Sequence, residues 1–136
     1  GYPCATNPQL HAALVKRLVD KIESAAEKLA DFDVINPDAE QVFIAYGAPV
    51  RTIQQVLHDH PDESIGFLRI RTVWPFPAHA LALFKNAQRF IVPELNLGQI
   101  AREIERHTKV PVVSVPKLGG ELHTPKELLK VLEAGA

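Results

Sequence analysis

The sequence predicts an α/β fold, a three-layer α/β/α sandwich around a mainly parallel sheet, and three observations predict it. Short apolar runs at 42–46 and 90–92 do not alternate in polarity, as strands behave when helices cover both their faces. Strand-like and helix-like segments follow one another at a spacing that suits right-handed crossovers between parallel strands. The 136 residues, 46% apolar and 23% charged, suffice for one ordinary globular core.

The first element starts at Asn7-Pro8, where Asn can accept from free amides and Pro fits a first helical turn. Leu10, Leu14, Leu18, Ile22, Ala25 and Leu29 then recur at three- or four-residue spacing, with charged residues on the other faces. That stripe predicts one long amphipathic helix over 8–31, lying on the outside of a body. Residues 32–40, with Pro37 and several polar side chains, read as a loop. A strand is predicted over 41–46, closed by Gly47, and a helix from Ala48-Pro49 to about His60. Further strands are predicted over 64–70, 89–93 and 112–115, with helices over 77–85 and 97–107 between them. The last helix opens at Thr124-Pro125-Lys126-Glu127, which combines a capping Thr, Pro at the first position and Glu three residues after the cap. Pattern alone therefore supplies four strands. The expected division is an N-terminal connecting segment over 1–36 and an α/β domain over 37–136.

Fifteen Lys and Arg against sixteen Asp and Glu leave a formal charge of −1 and no one-sign block, so a nucleic-acid partner is not expected. No window approaches the roughly 18 apolar residues of a membrane span, and no leader pattern opens the chain, so a cytoplasmic location without a membrane partner is expected. The single cysteine, Cys4, excludes an internal disulfide and a cluster held by this chain's cysteines alone. The chain has no methionine and opens Gly1-Tyr2-Pro3-Cys4, which leaves a piece of something longer among the expectations.

In a parallel sheet, functional contacts gather outside the carboxyl ends of the strands, so the segments to inspect are 47–49, 71–77, 94–99 and 117–124. None is a phosphate loop. Gly119-Gly120 lacks the following Lys-Ser/Thr and reads as a tight turn. His58-Asp59-His60-Pro61-Asp62-Glu63 carries metal-ligand types, but alternate residues at a helix end diverge, so a solvated terminus is expected. His11, His79, His107 and His123 stand singly and read as surface or boundary residues. Ser24, Ser64, Ser114 and Cys4 lie in no nucleophile context, and Glu94 and Glu121 form no identified acid–base pair.

Residues 69–77 place Arg69, Arg71, Thr72 and the only Trp, Trp74, among prolines at one strand exit. They read either as interface anchors or as a cover for the sheet end. Glu94 and Asn96 stand where a helix begins, and capping is the simpler reading of both. The resulting interface candidates are Gly47, Arg69, Arg71, Thr72, Trp74, Glu94, Asn96, Gly98 and Gln99, with no catalytic, cofactor-binding or metal residue expected in this chain.

These motifs occur in a familiar order. Tyr46-Gly47, Leu68-Arg69 with Thr72-Val73-Trp74-Pro75-Phe76-Pro77, Val92-Pro93-Glu94-Leu95-Asn96-Leu97-Gly98-Gln99, and Lys117-Leu118-Gly119-Gly120-Glu121 with Thr124-Pro125 follow one another. The set resembles the second domain of the alpha subunit of 2-oxoacid:ferredoxin oxidoreductases, including the 2-oxoglutarate type, over roughly residues 40–133. One departure is Ala48, where similar proteins carry Ser or Thr; a lost cap there costs about 1 kcal/mol, partly offset by Pro49. The resemblance implies a transketolase C-terminal-like fold of about five strands, one antiparallel. It also implies an enzyme that oxidatively decarboxylates a 2-oxoacid to an acyl-coenzyme A, with electrons passed to ferredoxin. Its thiamine diphosphate, magnesium and iron–sulfur cluster are implied for the whole enzyme and not for this domain. Implied partners are a preceding thiamine-pyrimidine domain, a beta subunit and, through the complex, ferredoxin. Two other readings stay open: a free-standing flavodoxin-like module binding a small anion at the helix starts after Gly47 and Gly98, and the C-terminal domain of a transketolase or of a 2-oxoacid dehydrogenase beta chain.

Overall fold

The computed structural model describes residues 7–61 and 64–134. Five strands form one sheet: β1 (Phe32–Ile35), β2 (Gln41–Ala45), β3 (Ile65–Ile70), β4 (Arg89–Glu94) and β5 (Val112–Pro116). Their order is β1-β3-β2-β4-β5, with β1 antiparallel to β3 and every other pairing parallel. Helices α3 (Pro49–Asp59) and α5 (Pro125–Glu133) cover one face, where Val50, Ile53, Val56, Leu128 and Leu132 pack on Phe43, Phe67 and Ile91. On the other face α4 (Gln99–Glu105) and a 3-10 helix (Ala78–Leu83) bring Ile100, Ile104, Ala80 and Leu81 onto Val42, Ile44, Leu68 and Val92. Covering both faces buries every residue of β2 and β4 after the first and accounts for their unbroken apolar runs. Each such Phe or Ile side chain contributes about 2 kcal/mol of transfer free energy.

Three expectations are corrected. The segment over 32–40, read as a loop, contains β1, which pairs Phe32 with Ile70 and Asp33 with Arg69 along the edge of the sheet. The strand therefore lies on the connecting-segment side of the expected division at 36. Where the chain turns back, Asn36 adopts φ 47° and donates its side-chain amide to the Ile65 carbonyl at 3.0 Å. Glycine at position 66 lets this turn lie close, since a Cβ there would stand 3.0 Å from both the Asn36 carbonyl oxygen and the Ala39 Cβ and would press its neighbours apart by a few tenths of an ångström.

The long helix over 8–31 is two helices, α1 (Pro8–Glu23) and α2 (Ala26–Leu29). Ser24 ends the first, its hydroxyl donating to the Lys21 carbonyl and competing with the helical ladder. α1 has no buried residue, and Leu10, Leu18 and Ile22 face solvent, so its apolar stripe seals no face of the sheet. The helix expected over 77–85 is the 3-10 helix. It has no capping side chain, and its tighter winding aligns Leu81 with Phe84 three residues on, so both reach the sheet. Among the described residues no helix is long and apolar enough to cross a membrane.

Candidate functional site

The parallel strands all end on one edge of the sheet, and β1, running the other way, starts there. The nine interface candidates gather at that edge, but their side chains are occupied in different ways. Arg71 donates to Asp33 at 2.8 Å and to Asp31 at 3.3 Å, and Arg69 lies 3.5 Å from Asp33. The backbone amides of Arg71 and Thr72 both donate to the Asp31 carbonyl. The two guanidiniums thus clip β1 to β3 within a partly exposed quartet of balanced charge. Sequence reading missed the aspartates because it missed the strand that carries them.

Glu94 and Asn96 build the start of α4. Glu94, 1% exposed, accepts from the amides of Ile100 and Ala101 at 2.9 and 3.0 Å, one on each carboxylate oxygen. Asn96 accepts from the amides of Gly98 and Gln99, both at 2.9 Å. Four successive amides are therefore satisfied by two side chains, and the capping reading of both residues holds. Gly98 is required here: it takes φ 83°, and a Cβ would approach the Ser114 Oγ to 2.8 Å. The side chain of Gln99 is exposed beside this cap.

Asn96 also donates to the Tyr46 hydroxyl at 3.0 Å, joining the exit of β4 to that of β2. Burial first, and then the nearby Glu94 carboxylate, push the Tyr46 phenol above its ordinary range, against the opposing Asn96 hydrogen bond. Tyr46 stays protonated at neutral pH, and its O–H can donate to a further acceptor. It borders a cleft of about 180 Å³ lined by Gly47, Ala48, Pro49, Glu94, Leu95 and Asn96. Ala48 supplies no side-chain cap to α3, and Pro49 follows it at the first helical position.

The segment after β5 is pinned at both ends. Lys117 pairs with Glu127, while Glu127 and Thr124 form the expected capping box. The backbone amide of Thr124, then the Lys117 ammonium and the Thr124 hydroxyl, hold the Glu127 carboxyl down at about 2. His123, read as a surface or boundary residue, is buried instead. Its Nε2 donates to the Val115 carbonyl at 2.8 Å, its own carbonyl accepts from Thr52 at 3.0 Å, and its Nδ1 has no partner. Its place directly before the capping Thr124 draws it between β5 and α3.

Large apolar side chains at this edge remain uncovered. Trp74, after the strand exit of β3, is 70% exposed, Leu97 is 64% exposed, and Leu95, Leu118 and Leu122 are exposed too. Phe76, by contrast, is buried and stacks on His107 with ring centroids 5.5 Å apart. The 71–77 loop thus covers the sheet with Phe76, one of the two readings made of it, and leaves Trp74 facing out.

Among the described residues no three His, Cys, Asp or Glu side chains converge in a way that could hold a metal ion. His58 and Asp59 meet each other at 3.1 Å in solvent, while Cys4, Asp62 and Glu63 lie outside the described residues. The buried carboxylate nearest the cleft is committed to helix amides. These residues do not compose a diphosphate–magnesium or cluster site on their own. The first amides of α4 are likewise taken, which removes the donors that an anion site after Gly98 would need.

The fold and this edge define a class: a mainly parallel α/β domain, covered by helices on both faces, whose parallel strands all exit at one edge. The chain belongs to the family of pyruvate:ferredoxin oxidoreductase core domain II, whose model matches residues 39–128. It is 42% identical over 132 residues to the 2-oxoglutarate synthase subunit KorA of Methanocaldococcus jannaschii, covering 94% of this chain and 36% of that protein. The corresponding subunit of Methanothermobacter thermautotrophicus is 37% identical over 138 residues, covering 97% of this chain and 37% of the relative. The chain thus spans little more than a third of the length of these relatives. In three dimensions it resembles a 2-oxoglutarate:ferredoxin oxidoreductase from Magnetococcus marinus, with a TM-score of 0.81 at 19% identity, covering 95% of this chain and 24% of that one. At that identity the likeness is one of fold.

Proposed function

We propose that this chain is the core domain II portion of a KorA-like alpha subunit in a 2-oxoglutarate:ferredoxin oxidoreductase. The enzyme would oxidatively decarboxylate 2-oxoglutarate in the presence of coenzyme A, releasing carbon dioxide and succinyl-coenzyme A and passing two electrons to ferredoxin. The observation that carries this reading is 42% identity, collinear over nearly the whole chain, to a 2-oxoglutarate synthase subunit. The domain's own part is assembly: its sheet edge is shaped for contact, and its buried polar groups are used to rigidify that edge. Thiamine diphosphate, magnesium and the iron–sulfur centre are assigned to other parts of the enzyme, and the partners of this domain are a preceding thiamine-pyrimidine domain, the beta subunit and, through the complex, ferredoxin. The test is the subunit containing this chain, co-expressed with its neighbouring subunits and assayed for coenzyme A-dependent ferredoxin reduction. Turnover with 2-oxoglutarate well above that with pyruvate or branched 2-oxoacids is expected. Preference for another 2-oxoacid would overturn the substrate, and no turnover with any would overturn the class.

A further inference from the structure

We infer that the groove at the edge of the sheet opposite the strand exits is a binding site for a small aliphatic amine, a linear alkyl chain carrying ammonium groups, taken up from solution. The inference goes beyond the proposed function and does not depend on it. At about 550 Å³ the groove is larger than the Tyr46 cleft and falls within the range of small-molecule sites. Topology makes this edge the electrostatic counterpart of the strand exits. Helices α3 and α5 run back against the parallel strands, so both end here, beside the first residues of β2 and β3. A helix start offers amides and favours anions; a helix end offers carbonyls and favours cations. The ionisable side chains that line the groove are Asp59, the last residue of α3, Glu133, the last of α5, and His60. Asp59 accepts from the Gln55 amide, which holds its carboxyl below the ordinary range and keeps it ionised. Glu133 has no ion-pair partner among the described residues.

The corner already holds one cation. Arg89, at the start of β4, donates to the Leu132 carbonyl in the last turn of α5 and to Gln41 Oε1, and both of these partners line the groove. A guanidinium built into the wall shows which charge this helix end draws. It offsets one of the two carboxylates, so one negative side-chain charge remains, together with the partial charge of the two helix ends. Shape decides between kinds of cation. Ile65, Leu129 and Leu132, with Pro61, give the groove an apolar wall. A bare metal ion leaves that wall unused, and among the described residues no three ligating side chains converge on one. An alkyl chain laid on the wall with its ammonium at the acidic rim uses both features.

The experiment is a calorimetric titration of the whole subunit in its assembled enzyme with cadaverine, a five-carbon diamine. Pentanediol, which has the chain without the charge, and ammonium chloride, which has the charge without the chain, are the comparison ligands. Saturable heat is expected with the diamine alone. Asp59→Asn combined with Glu133→Gln changes two solvent-exposed positions and should leave the fold intact, while the diamine binds about tenfold more weakly. Leu129→Trp fills the groove without altering its charge and is expected to abolish the heat. Arg71→Ala, at the other edge of the sheet, should leave the affinity unchanged. Thermal unfolding of each variant checks that it is folded. Absence of saturable heat with the diamine, equal heat with either comparison ligand, or an affinity that survives the double substitution would overturn the inference.

Discussion

Two polar clusters stand at the same edge of the sheet and are built from similar residues, yet they do different things. Asp31, Asp33, Arg69 and Arg71 form an open quartet across the β1–β3 seam, each side chain partly in water. Glu94 and Asn96, two strands away, are turned inward on the first amides of α4. In water the charges of the quartet are screened and cost little to separate, so their geometry specifies the seam more than it stabilises it. Around Glu94 there is no water to replace a lost acceptor, so the same kind of oxygen becomes one of the more costly atoms in the domain to remove.

The sharpest way to break this contrast is Glu94→Gln. The amide keeps one acceptor but turns an NH2 group on the other helix amide, leaving a buried donor facing a donor. A destabilisation of about 3 kcal/mol is expected in urea unfolding. A loss no larger than that of an exposed Glu would show that the carboxylate is not holding α4. Asn96→Ala comes next. It releases the amides of Gly98 and Gln99 and the link to Tyr46, and a loss of about 1 to 2 kcal/mol is expected. Tyr46→Phe, which removes only the last of these contacts, should cost less than half as much on the same measurement. Arg71→Ala is smaller again, below about 1 kcal/mol, and its effect should shrink further between low and high salt. A salt-independent loss above that size would place the quartet in the same category as Glu94.

The sequence made one of these clusters legible and hid the other for a physical reason. Capping is local: Glu94, Asn96 and the amides they serve lie within eight residues, so the pattern can be read without knowing the fold. The Thr124–Glu127 box was legible for the same cause. The quartet joins residues 36 to 40 apart, and it appears only once β1 is recognised. That strand is short and half-exposed, and it precedes Pro37, which favours a loop reading. A signal was present all the same, since Asp31 and Asp33 repeat the two-residue spacing of Arg69 and Arg71, as antiparallel neighbours do. His123 was misread because a lone histidine carries no periodicity; only the tertiary approach of Thr52 and Val115 buries it. Which aromatic of the 71–77 loop faces out could not be read from the sequence, because Phe76 and Trp74 are chemically alike and differ only in the side of one loop they occupy.

The smallest effect tests the comparison from the exposed side. Glu127 is open to solvent like the quartet, yet it is gripped by the Thr124 amide, the Lys117 ammonium and the Thr124 hydroxyl, which hold its carboxyl near 2 against an ordinary value of 4.5. A carboxyl whose folded value is depressed binds protons more readily in the unfolded chain, so stability rises with pH wherever the two states differ in protonation. The contribution of Glu127 is therefore complete above about 4.5 and is lost as pH falls from there through about 2. Glu127→Gln should flatten that part of the acid limb and leave the profile above pH 6 parallel to the parent's. Unfolding free energies measured across this window, at low and at high salt, check the point. Salt should weaken the Lys117 share while the backbone hydrogen bond from Thr124 persists, so a slope that survives high salt assigns the depression to the cap. A slope unchanged by the substitution would mean that other carboxylates govern acid unfolding and that the Thr124–Glu127 grip is as loose as the exposed pairs across the β1–β3 seam.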